Sequence, residues 1–253
     1  MEKKIVLDDE ERARYLRQII YPDFGEAGQR RLKKAHVLIA GLGGLGSPNA
    51  TNLAYAGIGK LTLLDCDSVE LSNLNRQTLH WEKDVGALKV VSGAAKLAAM
   101  NSKMEIRPLN VRITAENAGE LLAGVDLVVD CLDNMETRFV LNESCVRAGI
   151  PFIYGGISGL EGQLTTIIPG KTPCLECIYP RSIGRGKKVP FPVFGATPAL
   201  VASLQTMEAI KLLAGFGGLL MGKMLYVNGE AMEFTMIAIE RKKDCAICGG
   251  GNV

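Results

Sequence analysis

The stretch His36 to Gly46, HVLIAGLGGLG, constrains this chain more than any other. His36 to Ala40 is a short apolar run of strand type, and Ser47 to Ala56 continues in residues that can form a helix. Between them Gly41, Gly43 and Gly46 give the spacing G-x-G-x-x-G, with Gly44 as a fourth position lacking a side chain. The first glycine permits a tight turn, the second lets backbone N–H groups approach a phosphate, and the third lets helix and strand pack closely. A strand-to-helix turn that holds no ligand can use the same residues, so the rest of the chain must decide.

The predicted architecture is an α/β fold: a Rossmann-like, doubly wound, mostly parallel sheet extended by antiparallel strands. At 253 residues, with 47% hydrophobic and 22% charged residues and 29 glycines, the chain has the profile of a folded α/β protein. One domain over 1–253 is expected, with a helical arm over 8–34, a nucleotide-binding half over about 35–154 and a second half over about 155–253. The net charge of +2 argues against nucleic-acid or membrane binding through bulk charge. MEKKIVLDDEERAR has no apolar signal core, and no run approaches the ~20 apolar residues that span a bilayer, so a cytoplasmic location is expected.

In chain order, Asp8 to Arg17 predicts an amphipathic helix carrying Arg12, Arg14 and Arg17, with Tyr15, Leu16 and Ile19 available to pack. Gly25 to Lys34 predicts a second. Lys60 to Asp65 predicts the next parallel strand, which ends in Asp65, Cys66 and Asp67. An acidic residue there suits a ribose hydroxyl in either NAD or ATP. Glu105 to Leu109 and Val125 to Cys131 predict further strands, and Met135 to Ala148 a helix. Pro151 to Tyr154 predicts another strand, followed by a turn and an antiparallel strand within Gly155 to Ile168.

Cations distinguish the two nucleotides. Backbone amides can hold a diphosphate, whereas a triphosphate undergoing displacement needs cationic side chains. Arg76, in the segment Ser72 to Gln77, and Lys89, near the start of a helix over Val85 to Asn101, can supply them. Asp133 follows a buried strand, so it should share a crevice with Asp65 and is placed to hold Mg²⁺. Its alternative role is to cap the helix that follows.

Seven cysteines in such a chain point to reduced thiols and metal ligands. Cys174-x-x-Cys177 and Cys245-x-x-Cys248 form two knuckles that satisfy tetrahedral Zn²⁺ in a closed, structural shell. Paired redox motifs or unligated thiols are the alternatives. Cys66, Cys131 and Cys145 are expected in or near the core.

RYLRQI at 14–19, GLGGLG at 41–46, LLDCD at 63–67, LSNLNRQ at 71–77, VGALKV at 85–90, DCLDN at 130–134, the two knuckles and SLQTMEAIKLLAG at 203–215 occur in one chain. Together they resemble the E1-like adenylyltransferases that activate sulfur carriers, the ThiF/MoeB/HesA group. The resemblance implies ATP-dependent adenylation of the C-terminal glycine carboxylate of a ubiquitin-like carrier ending in Gly-Gly, in thiamine, molybdopterin or another sulfur-transfer route. It further implies that Gly44, Asp65, Asn73, Arg76, Lys89 and Asp133 contact the nucleotide or its magnesium, and the expected nucleotide site also includes Gly41, Gly43, Gly46, Asp67, Ser72, Gln77 and Asn134. Arg17 would reach in from the other subunit of a homodimer, and the half after residue 155 would carry the zinc and the carrier-binding surface.

Two departures stand out. Many relatives have a cysteine in the loop after the first knuckle, and some use it in a covalent link, but Arg181 to Ala196 contains none. Asn75 stands where glutamine is usual. The strip Gly184, Arg185, Gly186, Lys187 and Lys188 can make a basic surface for the carrier's tail, the alternative being a surface loop without that role. Two other classes share the fold: a nicotinamide-dependent oxidoreductase, for which no hydride-transfer residues accompany the glycines, and a non-catalytic nucleotide-binding scaffold.

Overall fold

A computed structural model describes residues 5–183 and 191–249. The basic strip at 184–188 lies outside the described residues. Helix α1 (Asp9–Arg14) starts from a reciprocal cap: Asp8 Oδ1 accepts the Glu11 amide and the Glu11 carboxylate accepts the Asp8 amide, both at 2.9 Å. The single helix expected over Asp8 to Arg17 is interrupted at Tyr15, where the backbone leaves helical geometry, and resumes as α2 (Leu16–Ile19). The break lets Tyr15 turn inward, where its hydroxyl accepts from Asn101 at 2.9 Å, while Leu16 stays exposed.

Helix α3 (Gly25–Lys34) leads into β1 (His36–Ala40), which is buried on both faces. Val37, Leu38 and Ile39 are wholly inaccessible, and each such side chain contributes about 1.5–3 kcal/mol on burial. Then follow α4 (Gly46–Ala56), β2 (Lys60–Leu64), α5 (Lys89–Met100), β3 (Glu105–Leu109), α6 (Ala118–Leu121), β4 (Leu127–Asp130) and α7 (Met135–Ala148). Strand β5 (Phe152–Ser158) and β6 (Glu161–Ile167) form a hairpin. The chain continues through α8 (Leu175–Ile178), α9 (Ala196–Ala214), β7 (Lys223–Asn228) and β8 (Glu233–Ala238).

Among the described residues these strands make one eight-stranded sheet in the order β3-β2-β1-β4-β5-β6-β7-β8. The first five are parallel to one another, and β5–β6, β6–β7 and β7–β8 pair antiparallel. The order reverses between β1 and β4, and such a switch point opens a crevice beyond the carboxyl ends of the strands. No helix of the described residues is long and apolar enough to cross a membrane.

The hairpin turn lies later than expected. Gly155 and Gly156 continue β5, and the chain reverses at Gly159, whose φ of +59° suits glycine. Gly155 serves close packing instead: a Cβ there would stand 2.4 Å from Gln205 Nε2.

Candidate functional site: a cleft at the switch point

A cleft of about 880 Å³ opens beyond β1, β2 and β4. The glycine turn forms its floor. Gly41 has φ +93°, and a Cβ on Gly46 would lie 2.0 Å from the Gly41 carbonyl oxygen, so the turn closes only without side chains at these positions. Gly43 differs, because a Cβ there would meet nothing nearer than Gln77 Nε2 at 3.6 Å. Protein packing does not demand that glycine. The open space is a cradle over which a phosphate can approach the backbone.

Gly41, Gly43, Gly44, Asp65, Asp67, Arg76, Gln77, Lys89, Asp133 and Asn134 all line this cleft. Asp65 braces the turn, with Oδ2 accepting the Leu42 amide at 2.7 Å and Oδ1 accepting the Asp67 amide at 2.8 Å. Lys89 is the first residue of α5 and is buried. Its ammonium donates to Asp67 Oδ2 at 3.0 Å and stands 3.9 Å from Asp65 Oδ1. Arg76 Nη1 donates to the Ser72 carbonyl at 3.0 Å and to Asn75 Oδ1 at 2.9 Å. Gln77 is buried and its Oε1 has no donor among the described residues, which leaves an acceptor for a ligand or water.

Gly46, Ser72, Asn73 and Arg17 stand apart from the lining. Gly46 lies beneath the turn, while Asn73 is buried and accepts the Glu70 amide at 3.1 Å, which fixes the loop that carries Arg76. Ser72 contributes its carbonyl to that same guanidinium and donates its hydroxyl to Glu70. Asp133 is exposed at the lip, and its Oδ1 accepts from Asn134 Nδ2 at 3.2 Å. The cap of α7 is Asn134, not Asp133, because Asn134 Oδ1 accepts the Thr137 amide at 2.9 Å. Arg17 is exposed on α2 and is not in its own chain's cleft. Cys66, expected near the core, is exposed at the cleft wall because it follows the last buried residues of β2.

Sequence patterns did not single out Arg138 or His80. Arg138 is buried against fully buried Asp130, with Nε 3.0 Å from Oδ2, and lines the cleft. An aspartate ending an otherwise apolar strand was the available signal, since a buried carboxylate requires a partner. His80 touches the back of the glycine turn: Nε2 lies 3.1 Å from the Leu42 carbonyl and Nδ1 3.0 Å from Ser92 Oγ. A carbonyl only accepts, so Nε2 carries the proton and Nδ1 accepts from Ser92.

The cysteines assemble as the spacing requires. The sulfurs of Cys174, Cys177, Cys245 and Cys248 all lie within 4.8 Å of one another. Cys174 and Cys245 stand 3.6 Å apart and Cys177 and Cys248 3.4 Å. Tetrahedral thiolates about 2.3 Å from zinc would be about 3.8 Å apart, so the cluster is of the right size for that ion. Burial pushes the Cys177 thiol up to about 11 and Cys174 higher still, so a bound cation would offset the cost of thiolates here.

The parallel sheet, open glycine cradle and cationic cleft define a nucleotide-binding α/β protein with an antiparallel extension and a four-cysteine cluster. The chain belongs to the ThiF family, whose profile matches residues 15–247. It is similar to the adenylyltransferase and sulfurtransferase MOCS3 of Aedes aegypti, 41% identical over 251 residues, covering 96% of this chain and 56% of that protein. It is also similar to the SAMP-activating enzyme E1 of Haloferax volcanii, 39% identical, covering 98% of this chain and 92% of that protein. The heterocyst protein HesA of Trichormus variabilis is 39% identical, with coverages of 97% and 91%. The chain thus spans about half the length of the MOCS3 relatives but nearly all of the other two. Among solved structures, Escherichia coli MccB with ATP superposes with a TM-score of 0.84 at 27% identity, covering 94% of this chain and 75% of that one.

Proposed function

We propose that this chain uses ATP to adenylate the C-terminal glycine carboxylate of a ubiquitin-like sulfur-carrier protein ending in Gly-Gly. The observation that carries the reading is the cradle at Gly43 flanked by Lys89 and Arg76, a set suited to a triphosphate and superfluous for a diphosphate. Relatives named as an adenylyltransferase and as an activating enzyme support it. A carboxylate is already ionised, so no general base is needed. Its oxygen bonds to the α-phosphorus, the bond from that phosphorus to the bridging oxygen breaks, and the electron pair leaves with pyrophosphate. Catalysis then lies in alignment and in neutralising the leaving group.

In this reading Lys89 and Arg76 hold the phosphates, Gly41 and Gly46 keep the turn tight enough for its amides to face them, and Gly44 leaves room beside Arg76 and Pro198. Asp65 faces the ribose. Gln77, Asn134 and Asp67 complete the lining, and Ser72 and Asn73 hold Arg76 in place. Asp133, an exposed oxygen donor beside the cleft, fits Mg²⁺, which when bound with the nucleotide would supply positive charge to the leaving pyrophosphate. The four cysteines would hold a structural Zn²⁺ joining the chain near 175 to the chain near 247.

The reading includes a homodimer in which Arg17 enters the partner's cleft, because Arg17 and its exposed neighbours Leu16 and Ile20 form an apolar and cationic surface. It assigns the half up to about residue 154 to nucleotide and the half from about 155 to carrier and zinc. It places the protein in the cytoplasm, with thiamine, molybdopterin or another sulfur-transfer route as its setting. The test is to incubate the protein with ATP and a Gly-Gly-ended carrier and measure the carrier's intact mass. A carrier gaining one AMP supports adenylation, and an unmodified carrier with ATP unconsumed contradicts it.

A further inference from the structure

A second, smaller cavity of about 250 Å³ lies against the nucleotide cleft, lined by Tyr154, Gln163, Tyr179 and Tyr226 among others. Four residues line both spaces: Met135, Arg138, Ile157 and Ser158. Two substrates that react must meet where their spaces adjoin. Arg138 carries the one charge in that shared wall, and its fork is unevenly used. Nε faces Asp130 at 3.0 Å, while Nη2 donates to the Leu132 carbonyl and, at 2.7 Å, to the Gly155 carbonyl. Among the described residues Nη1 meets only the Met135 sulfur, at 3.7 Å, a weak acceptor. The guanidinium carbon stands 5.1 Å from the centre of the Tyr154 ring, which fixes the plane of the fork.

We propose that Arg138 is a further substrate-binding residue, its Nη1 edge receiving an oxygen of the acyl carboxylate where the second cavity meets the nucleotide cleft. The inference rests on the adenylation reading. Asp130 and the two carbonyls hold the guanidinium rigid before substrate arrives, so little reorganisation is needed, and burial strengthens the charge-assisted hydrogen bond. The bonded oxygen would be the one that does not attack, leaving the other free to reach the α-phosphorus.

The test compares wild type with Arg138→Lys, which keeps a cation beside Asp130 but loses the fork. Three quantities are read: the ATP dissociation constant without carrier, the KM for carrier in ATP–pyrophosphate exchange, and the melting temperature. The expected result is a carrier KM raised about tenfold with ATP affinity within about twofold of wild type. If Arg138→Lys does not fold, the paired change Asp130→Asn with Arg138→Gln removes both buried charges and is read the same way. An unchanged carrier KM overturns the proposal, and so does equal loss of ATP affinity and carrier affinity, which would mark a purely structural ion pair. A wild-type protein without carrier-dependent exchange overturns the adenylation reading and this role with it.

Discussion

Lys89 Nζ stands 3.0 Å from Oδ2 of Asp67, so the cation best placed for a triphosphate rests on a carboxylate at the edge of the cleft. Asp65 Oδ1, 3.9 Å from the same ammonium, adds a second negative charge. The two carboxylates compensate the buried ammonium, and in the proposed reading a triphosphate would take over that task. Lys89→Met is expected to lower ATP–pyrophosphate exchange by about 10²- to 10³-fold, the usual cost of one preorganised charge-stabilising donor. Initial rates at saturating ATP measure it, and a rate within about threefold of wild type contradicts the role.

His80 supplies a pH dependence. Burial holds its imidazole below the ordinary range, Lys96 and Lys89 add to the effect, and the Leu42 hydrogen bond and Asp84 oppose it. The unfolded chain therefore takes up a proton near pH ~6.5 that the folded chain resists. This contribution to stability is present above that pH and is lost as the pH falls below it. His80→Gln keeps a donor for the Leu42 carbonyl and does not titrate. Its melting temperature should fall less than that of wild type between about pH 7.5 and 5.5, with His36, also depressed by burial, unchanged in both. Parallel curves would contradict the assignment.

The glycine turn was legible because its backbone requirements are extreme, and no other residue closes the Gly41–Gly46 contact. Strand β3 and helices α3 and α7 appear with the bounds expected from the sequence, although the cap of α7 is Asn134 and α3 has no side-chain cap. The polar core was not legible. Asn49 Nδ2 donates to Gln205 Oε1 at 2.8 Å, and Gln205 donates in turn to the Asp130 carbonyl at 2.9 Å, yet these residues are far apart in the chain. Local patterns cannot pair such groups, and the same holds for Arg138 and its two cavities. Strands β7 and β8 also went unsingled: β8 is exposed along its whole length, so no buried face imposes a period on it.

The cysteine cluster predicts one zinc per chain by elemental analysis. Cys245→Ser is expected to lower the melting temperature by several degrees while leaving exchange per folded molecule within about twofold, because the cluster is separate from the cleft lining. A metal-free wild-type protein whose four thiols react freely would contradict the assignment.

Arg17 predicts complementation. Arg17→Ala and Asp133→Ala chains, each inactive alone, should regain activity when mixed under conditions that exchange subunits, since one hybrid cleft then has both groups intact. Differently tagged chains that co-purify without regained activity would show that Arg17 does not act in trans.

The most direct measurement is ATP–pyrophosphate exchange with and without a Gly-Gly-ended carrier. Adenylation predicts isotope passing from pyrophosphate into ATP only when the carrier's terminal carboxylate is present, and none when that carrier is truncated by its last glycine. Tight binding of ATP and carrier with no exchange would mark a scaffold. Tight binding of NAD with none of ATP would mark an oxidoreductase, and either result would contradict the account.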